Sequence, residues 1–372
     1  MKSWNLKWLR IFFFLPLVLL LVVTNVYIDP ANIFHNCSKN VADSILNGHG
    51  AYFGSGNFDE RGVKLNMIKS MPDKVGCIAV GPSLAMGIRY SDVGTENFYN
   101  LSASGLNFND YLNIFGLMKV NNKKFDRVIL CVDSYFFDEN RYKEGSSFSF
   151  GNKYVEYMED VLNGKNPKLP EESKDNKFKE LSQAFSITYF QSSVKYIQSK
   201  GSYILKQKRW GILDKNTENL THYMSDGSWV YSLDYRNMTL ENMIDYVNKY
   251  NIADMFSKGN HVSRHSIDIF EKLVLYLTGM GTEVNLYLCP LPPSLWDRIQ
   301  NDGGLNEYYI LDELEIFANE IARKYNLKIT GSYNPYNLNV QDEDFYDARH
   351  LRHEQLSKFF DFTSKAGSKK ES

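Results

Sequence analysis

Hydrophobic residues follow two alternating patterns along this chain. Short continuous apolar runs, typical of buried strands, span 75–80, 97–101, 127–132, 284–289 and 327–330. Segments with apolar residues three or four positions apart, typical of amphipathic helices, span 107–119, 266–280, 311–325 and 351–362. Because buried strands alternate with helices, the pattern predicts a parallel sheet within a three-layer α/β/α domain.

A different pattern occupies the N-terminus. Residues 11–28 form an almost continuous apolar run, and the residues before it include Lys2, Lys7 and Arg10. At about 1.5 Å per residue the run approaches the ~30 Å thickness of a hydrocarbon core. It predicts one transmembrane helix, and the basic residues before it predict that the rest of the chain lies outside the cytoplasm. A cleaved signal peptide is the alternative, although no small-residue cleavage site follows the run.

These patterns predict four regions and one insertion. The regions are a cytoplasmic tip and anchor at 1–28, a stem at 29–74, an α/β domain at 75–362 and a disordered tail at 363–372. Charged and aromatic residues dominate 135–259, where one helical segment is predicted at 182–198. We interpret 135–259 as a large insertion that forms a cap or a partner-binding surface.

Composition narrows the classes of function. The net charge is −2 and no long block of like charge occurs, so nothing favours a nucleic-acid partner. The four cysteines have neither the density of a disulfide framework nor the spacing of a zinc site. We therefore expect no metal site, and the chemistry expected from the motifs described next needs no organic cofactor.

Two short motifs carry the candidate chemistry. Ser83, in Gly81-Pro82-Ser83, directly follows the first predicted strand of the domain, and Asp347 and His350 form an Asp-x-x-His motif near the C-terminus. Ligands of parallel α/β sheets bind beyond the carboxyl ends of the strands. Together these residues could form a triad of nucleophile, general base and orienting carboxylate. The alternatives are a turn serine, a helix-capping aspartate and an exposed histidine.

Three blocks carry a resemblance to a known family: Val-Gly-Pro-Ser-Leu-Ala-Met-Gly-Ile at 80–88, Asn-Leu-Ser-Ala-Ser-Gly at 100–105 and Phe-Tyr-Asp-Ala-Arg-His-Leu at 345–351. They are similar to motifs of the SGNH hydrolase superfamily, which has a flavodoxin-like fold. The resemblance is to its membrane-anchored members associated with membrane-bound O-acyltransferases. Those include the alginate and exopolysaccharide acetylation proteins and, more distantly, the D-alanyl transfer protein of teichoic acids.

The resemblance implies roles for particular residues. Ser83 would be the nucleophile, His350 and Asp347 its partners, and the amides of Ser83 and Gly105 the oxyanion hole. The expected activity is O-acyl transfer, most often of acetyl, to a cell-surface or secreted polysaccharide. The expected partner is a membrane-bound O-acyltransferase, and the expected location is the outer side of the cell membrane.

One departure from the family pattern bears on activity. The third family block usually supplies an oxyanion-binding asparagine, but this chain reads Val132-Asp133-Ser134 at that strand end. Ser134 or Asn107 could replace it, and Asp133 and Arg349 are further candidates for substrate binding. An esterase of the same fold and a non-catalytic assembly protein for the acyltransferase complex remain open alternatives.

Overall fold

The computed structural model describes residues 3–53, 59–141, 151–170, 181–200 and 209–360. Side chains are described within these ranges from residue 14 onward, except at residue 200. The tail predicted at 363–372 lies outside the described residues, as do the side chains of the predicted cytoplasmic tip.

A five-stranded parallel sheet forms the centre of the molecule. Its strands are β2 (Lys74–Val80), β3 (Phe98–Asn100), β4 (Lys124–Cys131), β8 (Glu283–Leu288) and β9 (Lys328–Gly331). They lie side by side in the order β3-β2-β4-β8-β9, and the turn that carries Ser83 follows β2. Each matches a predicted strand to within three residues at either end, so the predicted α/β class with a parallel sheet is confirmed.

Helices occupy most of the connections between these strands. Before β4 they are α1 (Ser3–Ile28), α2 (Ser38–Leu46), α3 (Glu60–Ser70), α4 (Tyr90–Val93) and α5 (Phe108–Val120). Between β4 and β8 they are α6 (Ser134–Phe137), α7 (Lys153–Leu162), α8 (Ile187–Lys200), α9 (Leu233–Arg236), α10 (Leu240–Lys249), α11 (Ile252–Met255) and α12 (Arg264–Gly279). The last three are α13 (Pro293–Asn301), α14 (Tyr309–Tyr325) and α15 (His353–Phe359).

The strand order places a crevice beside β2. The chain moves from β2 to β3 on one side and then returns to β4 on the other side of β2. Where connections leave in opposite directions, the carboxyl ends of two adjacent parallel strands open a crevice, and ligands of such sheets bind there. Ser83 follows β2 and Asp133 follows β4, so both lie at this point of the sheet.

A second, antiparallel sheet joins the predicted stem to the predicted insertion. Its strands are β1 (Ala51–Phe53), β5 (Trp210–Ile212), β6 (His222–Tyr223) and β7 (Trp229–Val230). They lie side by side in the order β5-β1-β6-β7. The 29–74 segment is folded: Val41, Ile45 and Met67 are fully or almost fully buried in the hydrophobic core. The two predicted regions therefore pack together.

The insertion also contacts the turn that carries Ser83. The Trp229 amide donates to the Met86 carbonyl at 2.7 Å, and the Asn100 amide donates to the Asp226 carbonyl at 2.8 Å. Residues 224–231 thus lie directly against the ends of β2 and β3. This contact brings side chains of the insertion to the candidate site.

The N-terminal helix α1 extends over Ser3–Ile28 and exposes apolar side chains, among them Phe14 and Val23, which are 63% and 60% exposed. Among the residues that the structure describes, no helix is both long and apolar enough to cross a bilayer. The predicted transmembrane helix is therefore unsupported by the structure.

Candidate active site

The turn that carries Ser83 is closely packed. Gly81 leaves β2, and Ser83–Ala85 forms a single 3₁₀ turn. A Cβ at Gly81 would lie 2.6 Å from the Cβ atoms of both Ala85 and Cys131, so only glycine fits without rearrangement. Asn100 fixes the turn from β3, because its Nδ2 donates to the carbonyls of Ala85 at 2.8 Å and Ile88 at 2.9 Å.

The Asp347–His350 turn is fixed by its own backbone. Asp347 Oδ1 accepts hydrogen bonds from the amides of Arg349 and His350, both at 2.8 Å. The Tyr346 amide donates to the His350 carbonyl at 2.8 Å, and a bridge between Phe345 and Leu351 closes the loop. The spacing of three residues therefore directs the carboxylate and the imidazole to one side.

These two turns meet in a continuous hydrogen-bonded chain. His350 Nε2 lies 2.7 Å from Ser83 Oγ, and His350 Nδ1 lies 3.0 and 2.9 Å from the two carboxylate oxygens of Asp347. With a proton on Nδ1 donated to the carboxylate, Nε2 accepts the hydrogen bond from the Ser83 hydroxyl. The arrangement is that of a nucleophile, a general base and an orienting carboxylate.

Asp347 stays ionised although it is largely buried. Burial acts to raise its pKa, but the hydrogen bond and charge of His350 and the hydrogen bond from Tyr235 together hold the pKa well below its usual range. The Tyr235 hydroxyl donates to Asp347 Oδ2. Burial and then the charge of Asp347 raise the pKa of Tyr235 far above its usual value, so this phenol remains a donor.

Asp133 and Arg349, two predicted substrate-binding residues, pair with each other. Arg349 Nη2 lies 3.2 and 3.1 Å from the Asp133 carboxylate oxygens, and both residues are buried. Burial acts to lower the pKa of Arg349, but the charge of Asp133 together with the interactions of Tyr250 and Cys289 raises it. The pair joins the end of β4 to the turn that carries His350, so both side chains are occupied by an internal contact.

The remaining predicted residues have other contacts. Asn107 caps α5, accepting from the Asp110 amide at 3.0 Å, and the Ser134 hydroxyl is buried, 3.4 Å from Asp133 Oδ1. Gly105 is exposed with a φ of +58°, and its carbonyl accepts a hydrogen bond from Arg61 at 2.9 Å. The described contacts do not place these three residues against the Ser83 hydroxyl.

A small cavity of about 30 Å³ opens beside the Ser83–His350 contact. Its walls combine side chains that follow β2, side chains of the insertion and side chains near His350. The polar and aromatic ones are Ser83, Arg89, Trp229, Tyr231, Arg236, Tyr346, His350 and His353. Among the described residues, no aspartate or glutamate lines the cavity.

Sequence reasoning did not identify Tyr235, Arg89 or Arg236. Arg89 directly follows the block at 80–88, but nothing in the sequence assigned it a role. Tyr235 and Arg236, on the short helix α9, are more than 100 positions from Ser83, and their only signal was their place in the charged and aromatic segment 135–259.

Two further observations bear on the identity of this site. Among the described residues, no group of three or more His, Cys, Asp or Glu side chains could hold a metal ion. No protein-family model matches the chain, and no curated protein matches it at a significant level. The relation to SGNH hydrolases therefore stays a prediction based on the three sequence blocks.

Proposed function

We propose that this protein is an O-acyltransferase that uses Ser83 as its nucleophile, His350 as its general base and Asp347 as the orienting carboxylate. One observation carries the proposal: a hydrogen-bonded chain runs from Ser83 Oγ through both nitrogens of His350 to the Asp347 carboxylate. Residues 267 positions apart form this chain at the carboxyl end of the sheet, where ligands of such sheets bind.

In the first half-reaction, His350 Nε2 takes the proton of Ser83 as Oγ attacks the acyl carbonyl carbon. The leaving group of the donor departs with the proton returned by His350, and an acyl-serine ester remains. The negative oxygen that forms transiently needs nearby amide donors. The amides of Ser83 and Leu84 begin the 3₁₀ turn and have no acceptor within it, so they are the strongest candidates.

In the second half-reaction, a hydroxyl of the acceptor approaches the acyl-serine. His350 removes its proton, the new ester bond forms, and Ser83 leaves as an alcohol that recovers the proton. Water in place of the acceptor would make the same site an esterase. The aromatic side chains Trp229, Tyr231 and Tyr346 in the cavity wall favour a sugar hydroxyl, because sugar rings pack against aromatic faces.

We infer that the reaction takes place on the outer side of the membrane, with the acyl group delivered by a membrane-bound O-acyltransferase. The apolar side chains exposed along α1, from Phe14 to Val23, support contact with lipid or with an apolar partner. The polysaccharide would be the final acceptor. The SGNH assignment, with its three-layer fold, is part of this proposal and is supported by the strand order of the sheet.

Acyl-enzyme trapping tests the proposal. The full chain is incubated with p-nitrophenyl acetate, and intact mass spectra are recorded for the wild type, Ser83→Ala and the control Ser91→Ala. Ser91 is an exposed serine at the start of α4. We expect a mass gain of one acetyl group in the wild type and in Ser91→Ala, but not in Ser83→Ala.

The fate of the acetyl group then separates the alternatives. Transfer to an added oligosaccharide faster than release to water supports the transferase, whereas release to water alone indicates an esterase. If the wild type forms no adduct and Ser83→Ala still supports polymer acylation in cells, the proposal is wrong and a non-catalytic assembly role replaces it.

A further inference from the structure

We propose that the cavity beside Ser83 binds an anionic group of the acyl acceptor, a carboxylate or a phosphate, through Arg89 and Arg236. This inference deepens the proposed function and rests on it, since it states what kind of acceptor the Ser83 site would take. It is carried by the presence of Arg89 and Arg236 in the lining of the cavity and by the charged groups around them.

The lining of the cavity contains two permanent positive charges, those of Arg89 and Arg236, and it includes no carboxylate among the described residues. Arg89 follows the nucleophile turn, whereas Arg236 ends α9 in the insertion. Two separate parts of the chain therefore each bring a permanent positive charge to the same small space next to the nucleophile.

Neither guanidinium forms an ion pair with a described carboxylate. In the described part of the chain, Arg89 and Arg236 form no ion pair, and the Nε atom of each is buried without a hydrogen-bond partner. The one side-chain contact recorded for Arg236 is a 3.2 Å hydrogen bond from Nη2 to the carbonyl of Glu218. A cation in a cavity wall is costly unless an anion or water compensates it, so the site favours an anionic ligand.

Several arginines outside the cavity pair with carboxylates. Arg349 lies 3.1 Å from Asp133, Arg141 lies 2.9 Å from Asp254, and Arg127 lies 3.3 Å from Glu283. Others, such as Arg298 and Arg352, donate to backbone carbonyls instead. Arg89 and Arg236 belong to the arginines without a carboxylate partner among the described residues, and they are the ones that line the cavity.

Asp92 is an acidic side chain close to these groups. It is buried, lies 3.8 Å from His353 Nε2 and accepts a hydrogen bond from the Arg89 amide at 2.8 Å through its other oxygen. Its oxygens are therefore engaged by a backbone amide and a histidine, and it forms no ion pair with a guanidinium among the described residues.

The size of the cavity limits what can enter. About 30 Å³ accommodates a few heavy atoms, the size of a carboxylate rather than a sugar ring. The ring of the acceptor would then lie at the mouth of the cavity. A hydroxyl near the anionic group would face the acyl group on Ser83.

Binding measurements on an inactive protein test this inference without acyl chemistry. The full chain carrying Ser83→Ala is titrated with glucuronate, glucose 6-phosphate and glucose by isothermal titration calorimetry at low salt. We expect at least one anionic sugar to bind about tenfold or more tightly than glucose, because charge-assisted hydrogen bonds to guanidinium supply the difference. The better of the two identifies the anionic group.

Variants then assign the binding to the cavity. In the Ser83→Ala background, Arg89→Gln and Arg236→Gln should each reduce the preference for the anionic sugar about tenfold, whereas Arg264→Gln should leave it unchanged. Arg264 is exposed at the start of α12, so Arg264→Gln removes the same charge at a position outside the cavity. Thermal melting of each variant checks that it is folded.

Two results would overturn the inference. The first is equal affinity of the protein for all three sugars. The second is a loss of anion preference in Arg264→Gln as large as that in a folded Arg89→Gln or Arg236→Gln variant. Because acetyl trapping on the wild type is measured separately, a normal acyl-enzyme with no anion preference would reject this inference alone. Absence of the acyl-enzyme would reject the proposed function.

Discussion

Tyr235→Phe removes one hydroxyl from the hydrogen-bonded chain of the candidate site. That hydroxyl donates to Asp347 Oδ2, the oxygen 2.9 Å from His350 Nδ1. The ring itself is held by stacking on Tyr231, with centroids 4.6 Å apart, so phenylalanine should keep the ring in place. The substitution therefore tests whether a donor from the insertion orients the carboxylate of the proposed triad.

The size of the effect follows from the contacts that remain. A hydrogen bond to a charged group contributes about 1.5–3 kcal/mol. Asp347 keeps three other donors, the two backbone amides and His350 Nδ1, so we take the lower end of that range. Since about 1.4 kcal/mol corresponds to a factor of ten in rate, we expect kcat/KM for ester cleavage or transfer to fall about tenfold. Loss of the carboxylate itself would cost far more, about 10⁴ in a serine protease triad.

The pH profile separates this role from a general structural one. The hydrogen bond from Tyr235 is one of the interactions that hold the pKa of Asp347 below its usual range, after the hydrogen bond and charge of His350. Its loss should raise that pKa, so the acid limb of the kcat/KM profile should move to higher pH in Tyr235→Phe. Tyr246→Phe is the control, because Tyr246 is 46% exposed on α10. An unchanged rate together with an unchanged acid limb would refute the reasoning.

Two further predictions concern stability. Asp133→Asn should lower the free energy of unfolding, measured in urea, by about 3–5 kcal/mol, because it leaves the buried Arg349 charge unpaired. The control Asp126→Asn breaks an exposed pair with Lys74 and should change the free energy of unfolding by less than about 1 kcal/mol. Similar losses of stability in the two variants would contradict this prediction. Lys64 is fully buried, donates to the carbonyls of Asn100 and Gly227, and burial lowers its pKa to about 7 from 10.5. The unfolded chain then binds more protons than the folded one between those two values, so stability should rise with pH above about 7 in the wild type. In Lys64→Met that rise, measured as urea midpoints up to about pH 9.5, should be reduced; the same slope in both proteins would count against a neutral buried lysine.

The sheet and the triad were accessible from the sequence because they depend on local patterns. A strand buried on both faces must be continuously apolar, so 75–80 and 127–132 were recognisable without any knowledge of the fold. Parallel strands bring their carboxyl ends to one edge, which was sufficient to expect Ser83 near a residue from the C-terminal region. The Asp-x-x-His spacing further suggested which histidine would be oriented by a carboxylate.

Other expectations depended on contacts that the sequence does not encode locally. Asp133 and Arg349 were candidates for substrate binding because each is a charged residue near a motif. In the folded chain they are 3.1 Å apart and pair with each other, since two buried charges are more stable together than apart. The segment 29–74 was predicted to be a stem after the N-terminal helix, but its short strand β1 pairs with β5 and β6, which belong to the insertion.

The sequence by itself thus determined the class of the fold and the chemical nature of the proposed nucleophile, base and carboxylate, because periodicity and residue type are local properties. Tertiary structure alone decided what surrounds them. Tyr235 reaches Asp347 across 112 positions, and Arg89 and Arg236 reach one cavity across 147 positions. Such neighbours are set by how the insertion packs against the end of the sheet, and packing depends on the shape and charge of surfaces that exist only once the chain has folded.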